Sequence, residues 1–100
     1  FDAGTCLTID FITKEKVYKG GRISPGIEMR YKALHQFTNQ LPLCNYSSKN
    51  ILIGNDTESS IISGVQQGIL SEVREIINAY KKENKETLEC LENIFFWRVT

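Results

Sequence analysis

Residues 57–81 read TESSIISGVQQGILSEVREIINAYK, and this stretch decides the fold. Ile62, Val65, Ile69, Val73, Ile76 and Tyr80 recur at intervals of three and four, which gathers them on one face of a helix about five turns long. Glu72, Arg74, Glu75 and Lys81 fall on other faces. A helix that is apolar along one stripe must lay that stripe on another layer of structure. Just ahead of it, Asp56 or Thr57 is placed to accept backbone N–H bonds as an N-cap.

Outward from this helix, Ile51-Leu52-Ile53 is a short apolar run suited to a buried strand, ended by Gly54-Asn55-Asp56-Thr57. Residues 39–50 hold Pro42 and several Asn and Ser, and read as a loop. Ile27, Tyr31, Leu34 and Phe37, spaced by four, three and three, share one face of an earlier helix expected to end near Thr38. Ser24-Pro25-Gly26 is its entry, since Ser can cap and Pro is tolerated in a first turn. From Phe1 to Ile12, Leu7, Ile9 and Phe11 alternate with Thr8 and Asp10, the period of a strand. A turn at 13–16 leads into Val17-Tyr18-Lys19, giving a hairpin that Gly20-Gly21 should break before a short strand at Arg22-Ile23-Ser24. Downstream, Lys81 to Glu89 reads as helix end and linker, and Ile94-Phe95-Phe96 as another buried strand. The order β-β-β-α-β-α-β predicts an α/β layer structure with helices packed on a mixed sheet.

One hundred residues make one domain. Twelve Lys plus Arg balance twelve Asp plus Glu, so no global field draws nucleic acid or an anionic membrane. Cys6, Cys44 and Cys90 are odd in number and far apart, which fits neither a disulfide framework nor a zinc site. Reduced thiols and a cytoplasmic location are the expectation. No stretch approaches the ~18 apolar residues of a membrane span, and no basic segment with a cleavage site opens the chain. His35, the only histidine, has no Ser or Cys partner at a recognisable spacing and receives no role.

Three stretches carry chemistry. In Asp2-Ala3-Gly4-Thr5 the glycine permits close backbone approach, the threonine offers N–H and hydroxyl, and the carboxylate can hold a cation, parts that suit nucleotide phosphates as well as a structural turn. Gly20 to Gly26, ahead of a helix, serves either a tight turn or an anion. Gly54-Asn55-Asp56-Thr57 serves either as a cap or as a ligand contact. Gly64 and Gly68, four apart on one helical face, permit a close contact within the chain or with a second copy.

Taken in order, D-A-G-T-C-L-T-I-D at 2–10, G-G-R-I-S-P-G-I at 20–27, the A-L…T-x-x-L-P stretch at 33–42 and G-N-D-T-E-S-S-I-I-S-G-V-Q-Q-G at 54–68 resemble the C-terminal half of type III pantothenate kinases. The resemblance covers about residues 1–92. It implies one lobe of the duplicated acetate and sugar kinase/Hsp70/actin fold, which is ribonuclease H-like. It also implies ATP-dependent phosphorylation of pantothenate to 4'-phosphopantothenate in coenzyme A synthesis, a potassium or ammonium ion, magnesium with ATP, and a homodimer formed through the 57–81 helix. By resemblance, Asp2 matches the cation-binding aspartate, Thr5 the ATP-contacting threonine and Thr57 the pantothenate-contacting threonine. The GGxIxPG stretch matches a family turn near the substrate region and receives no specific contact.

The family's first phosphate loop, D-x-G-N-T, and the G-x-D-R segment that carries the general-base aspartate are not among these residues. The chain therefore reads as a truncated kinase holding half an active site and no catalytic base, which on its own turns over little substrate. The competing reading is a non-catalytic binding or regulatory fragment, resembling the accessory transcription factor label the family has carried. Neutral charge and the want of a basic reading helix argue against nucleic acid as a partner. At the other end, Trp97 to Thr100 depart from the family, which follows its strand with a Gly-Gly turn. A frameshifted reading of these residues is expected, with an ordinary boundary in a divergent strand as the alternative, and resequencing decides between them.

Overall fold

The computed structural model describes residues 6–12, 15–83 and 95–99, the last five by backbone alone. Leu7, Ile9 and Phe11 are buried and the residues between them half-buried, so strand β1 (Cys6–Ile12) runs with both faces partly covered. Strand β2 (Tyr18–Pro25) pairs with it antiparallel, from Cys6 opposite Pro25 to Phe11 opposite Gly20, with an irregularity between Phe11 and Ile12. Strand β3 (Phe95–Val99) pairs antiparallel on its other side, giving the order β2-β1-β3. All pairings among the described residues are antiparallel, which replaces the mixed sheet expected from the sequence.

Gly20-Gly21 does not break the hairpin. Gly20 takes a left-handed φ of +121°, and a side chain at Gly21 would overlap the Ile9 carbonyl oxygen across the pair. Glycines thus allow β2 to continue where larger residues would end it. The two expected strands, Val17–Lys19 and Arg22–Ser24, are one.

Helix α1 (Ile27–Gln36) starts on Gly26 without a side-chain cap, and Ser24 is bonded elsewhere. Tyr31 is buried and Ile27 and Leu34 pack partly against the core, but Phe37 lies past the last turn and is 84% exposed. Ile51-Leu52-Ile53 forms no strand. Only Ile51 packs inward, while Leu52 and Ile53 are 75% and 83% exposed, because the Leu52 carbonyl accepts from the Ser63 hydroxyl rather than from a neighbouring strand.

The long helix holds as read, with one interruption. Helix α2 (Thr57–Ile62) passes into a π-helical turn at Ser63–Gln67 and continues as α3 (Gly68–Glu83). Its stripe serves two clusters. Ile61, Ile62 and Val65 pack with Tyr31 and Cys44; Ile69 packs with Leu7, Ile9 and Phe11, joined by Val73, Ile76 and Tyr80, and Phe11 stacks on Tyr80 with ring centres 4.0 Å apart. Ile27 touches both clusters, so α1 is the wedge between them. The linker and Ile94 lie outside the described residues.

Candidate functional site

Three elements meet on one carboxylate. The Ser24 hydroxyl at the end of β2 donates to Glu72 Oε2 at 2.5 Å, Arg30 Nη2 on α1 to Oε1 at 2.5 Å, and Arg22 stands 3.7 Å away. Arg30 Nε also donates to the Pro25 carbonyl at 2.8 Å. Burial works to raise the Glu72 pKa, but the hydrogen bonds from Ser24 and Arg30 and the charges of Arg30 and Arg22 outweigh it and hold the carboxyl below its ordinary value. This cluster fixes where α1 stands relative to α3. Glu72→Gln is expected to cost about 1–3 kcal/mol, since two donors lose a charged acceptor. Chemical denaturation checks this, and a cost indistinguishable from zero would remove the cluster's structural role.

At the start of α2, Asp56 accepts from the Ser59 backbone N–H at 2.7 Å and the Ser59 hydroxyl at 2.6 Å, while that hydroxyl receives the Asn55 and Asp56 backbone N–H groups at 3.0 and 3.2 Å. The reciprocal pair is a capping box in which Ser takes the usual Glu position. These bonds, side chain first, hold the Asp56 carboxyl below its ordinary range. Asp56→Ala is expected to lower stability by loosening the start of α2, read in the same unfolding experiment.

Both depressed carboxyls act in the same direction with pH. A folded-state pKa below the unfolded value contributes stability that is complete above the unfolded pKa, about 4, and is lost as pH falls through the lower folded value. Melting temperature should therefore hold from neutral to about pH 5 and fall below it. Glu72→Gln should give a shallower acid limb; an acid limb identical to the parent's would show that Glu72 carries none of the effect.

Between α1 and the start of α2 lies an open cleft of about 1210 Å³. Ala33, Leu34 and Phe37 form one wall, Thr57, Ser60 and Gly64 part of the other, and Arg30 stands at one end. Its lining is mainly apolar with a few polar groups, as small-molecule sites commonly are. The loop 37–56 lends it Thr38, Leu41 and Asn55 and is itself tied to the helices. His35 Nδ1 donates to the Leu41 carbonyl at 2.8 Å, and Gln66, from the π turn, receives the Tyr31 hydroxyl at 2.5 Å and the Ser47 N–H at 2.9 Å while donating to the Ser47 carbonyl at 2.8 Å. Burial, then the neighbouring Cys44 and Tyr46, pushes the Tyr31 hydroxyl up to about 12, so it stays a donor to Gln66 at neutral pH. Burial, then Glu58, raises the Cys44 thiol, which keeps it in its neutral form.

Of the residues singled out by resemblance, Thr57 is described and lines this cleft; Asp56 is the cap, and the Thr57 hydroxyl takes no part in it. Asp2 and Thr5 lie outside the described residues. Among the described residues no neighbour stands against Gly64, and at Gly68 an added Cβ would meet only Arg30 Nη1 at an ordinary 3.8 Å, so neither glycine makes, with the described residues, the close contact that their spacing suggested. Arg30, Glu72 and Gln66 were missed in the sequence. Helical periodicity assigns faces, and Glu72 carried no mark separating it from a solvated charge.

Helices against an antiparallel sheet, with a cleft of small-molecule size beside a capped helix start, place the chain among proteins that combine helices and strands in one layered unit. Comparison with known sequences narrows the class. Residues 1–79 match the family model for type III pantothenate kinase. The type III pantothenate kinase of Christiangramia forsetii is 53% identical over 79 residues, 79% of this chain and 32% of that protein. That of Flavobacterium psychrophilum is 46% identical and that of Bacteroides fragilis 47% identical, each over 90% of this chain and 37% of the relative. The chain belongs to the type III pantothenate kinase family, and it spans about a third of the length of the curated relatives it matches.

Proposed function

We propose that this chain is the C-terminal lobe of an enzyme that transfers phosphate from ATP to pantothenate, in the route to coenzyme A. The observation that carries the reading is the cleft between α1 and α2. Thr57, whose hydroxyl lies outside the capping box, lines it together with the apolar Leu34, Phe37 and Leu41. Pantothenate has the matching chemistry, a gem-dimethyl carbon flanked by hydroxyls at one end and a carboxylate at the other. Thr57 orients it, and the apolar walls receive the gem-dimethyl group.

ATP supplies the phosphoryl group. Thr5 would contact the nucleotide and Asp2 would hold potassium or ammonium, with magnesium accompanying ATP; these assignments rest on the matched motifs. Among the described residues no cluster of three His, Cys, Asp or Glu side chains could hold a metal ion, and the only donor put forward for the cation, Asp2, precedes them. The antiparallel sheet with its helices is compatible with a lobe of the ribonuclease H-like kinase fold. A homodimer through the 57–81 helix and a cytoplasmic location complete the proposal. No helix among the described residues is long and apolar enough to cross a membrane.

Because positioning and charge stabilisation carry most of phosphoryl transfer, the 100 residues alone should release little or no ADP on adding pantothenate. Calorimetry with ATP should show heat in potassium that is lost in sodium and in Asp2→Ala. Pantothenate-dependent ADP release by this chain would contradict the half-site reading, and an absence of potassium-dependent heat would instead favour a binding module without a nucleotide site.

A further inference from the structure

Gly64 sits inside the long helix, in the π-helical turn, where glycine is among the least favourable residues. Nothing within the described chain asks for it there. Its backbone is not left-handed, since Gly20 is the only glycine with positive φ among the described residues. A Cβ built on it meets no atom within 4 Å. Gly54 and Gly21 show the contrast, because a methyl group at either would overlap backbone atoms. Gly64 is exposed between two buried neighbours, Ser63 and Val65, and the surface it exposes is the cleft wall.

The same wall carries Thr57 and Ser60. Thr57 and Gly64 are seven residues apart, about 10 Å along a helix at 1.5 Å per residue, within the span of one extended small molecule. The π turn is also where Ser63, Gln66 and Gln67 bind the loop at Leu52, Ser47 and Asn50. With those side chains committed to the loop, Gly64 and Val65 are the positions of this turn that line the cleft, and of the two only Gly64 is exposed.

We infer that Gly64 is a specificity-determining residue whose missing side chain sets the depth of the cleft, and that the space it leaves receives the gem-dimethyl group of pantothenate while Thr57 meets a polar group of the same molecule. The inference rests on the cleft being the pantothenate site. An unfavourable residue with no packing or conformational cause is thereby given one, the volume of the ligand.

The test is a pantothenate titration by NMR, with thermal melts, on the parent chain, Gly64→Ala and Gly64→Leu. Alanine should raise the melting temperature by about 4 °C or more, because it is the better helix former. It should also weaken pantothenate about tenfold or more, because its methyl occupies the place the ligand's gem-dimethyl group would take. Leucine should abolish detectable binding. A glycine needed only for folding would instead lose stability and binding together, and that pattern overturns the inference. So does unchanged affinity in both variants while the parent binds, a result that leaves the pantothenate site standing. Unchanged affinity with a shift from dimer to monomer in sedimentation would assign the space to a second copy and overturn it as well. Failure of the parent chain to bind pantothenate removes both the site reading and the inference.

Discussion

Leu7→Ala or Ile9→Ala is expected to lower the stability of the chain by about 2–5 kcal/mol, a large part of the ~5–15 kcal/mol that holds a small domain together. Both side chains are 1% exposed, on the central strand of the three, where they meet Ile69 and its neighbours. Truncation removes apolar contact and leaves a cavity that cannot close, because β1 is pinned by strands on both sides. Urea unfolding followed by circular dichroism measures the loss. A cost below about 1 kcal/mol would mean that this cluster is not the core of the sheet layer.

Gly54→Val should be comparably severe, by a different route. A Cβ at Gly54 would overlap the Ser60 nitrogen and the Ser59 carbonyl carbon, which are backbone atoms of the first turn of α2 and have no rotamer to change. The loop must lift away. Overpacking of this kind costs about 1–3 kcal/mol, and displacing Asn55 and Asp56 opens the capping box as well. Because Gly54, Asn55 and Thr57 line the cleft, the variant should lose pantothenate binding as well as stability. Native-like melting with native-like binding would show that the loop does not sit against the helix. The contrast with Gly64, where alanine should stabilise, separates a glycine needed for close approach from one left as open space.

The α/β class, the long helix with its stripe and the cap before it could all be read from residue order, because each rests on local spacing or local hydrogen bonding. What escaped depended on tertiary partners. Ile51-Leu52-Ile53 had the composition of a strand, yet none of the described strands pairs with it, and Ser63 claims the Leu52 carbonyl. Phe37 extended the apolar face of α1 on paper, but the helix ends one residue before it. Gly20-Gly21 looked like a break until the left-handed residue and the close cross-strand approach made glycine the means of continuing. The π turn left no trace in the stripe, since intervals of three and four accommodate the one wider turn. Around the cleft, the order of motifs singled out Thr57, which the structure places in the lining, whereas Arg30 and Glu72 act through each other across forty-two residues, a relation no local pattern carries.

The central claim is that the cleft between α1 and α2 holds pantothenate through Thr57. Chemical-shift mapping of a pantothenate titration, with Thr57→Ala beside the parent, tests it most directly. The account predicts saturable shifts at Asn55, Thr57, Ser60 and Gly64 and across the cleft at Ala33 to Phe37, weakened about tenfold by Thr57→Ala, in keeping with about 0.5–1.5 kcal/mol for a neutral hydrogen bond. An absence of saturable shifts, or shifts confined to residues away from this cleft and indifferent to Thr57, would contradict it.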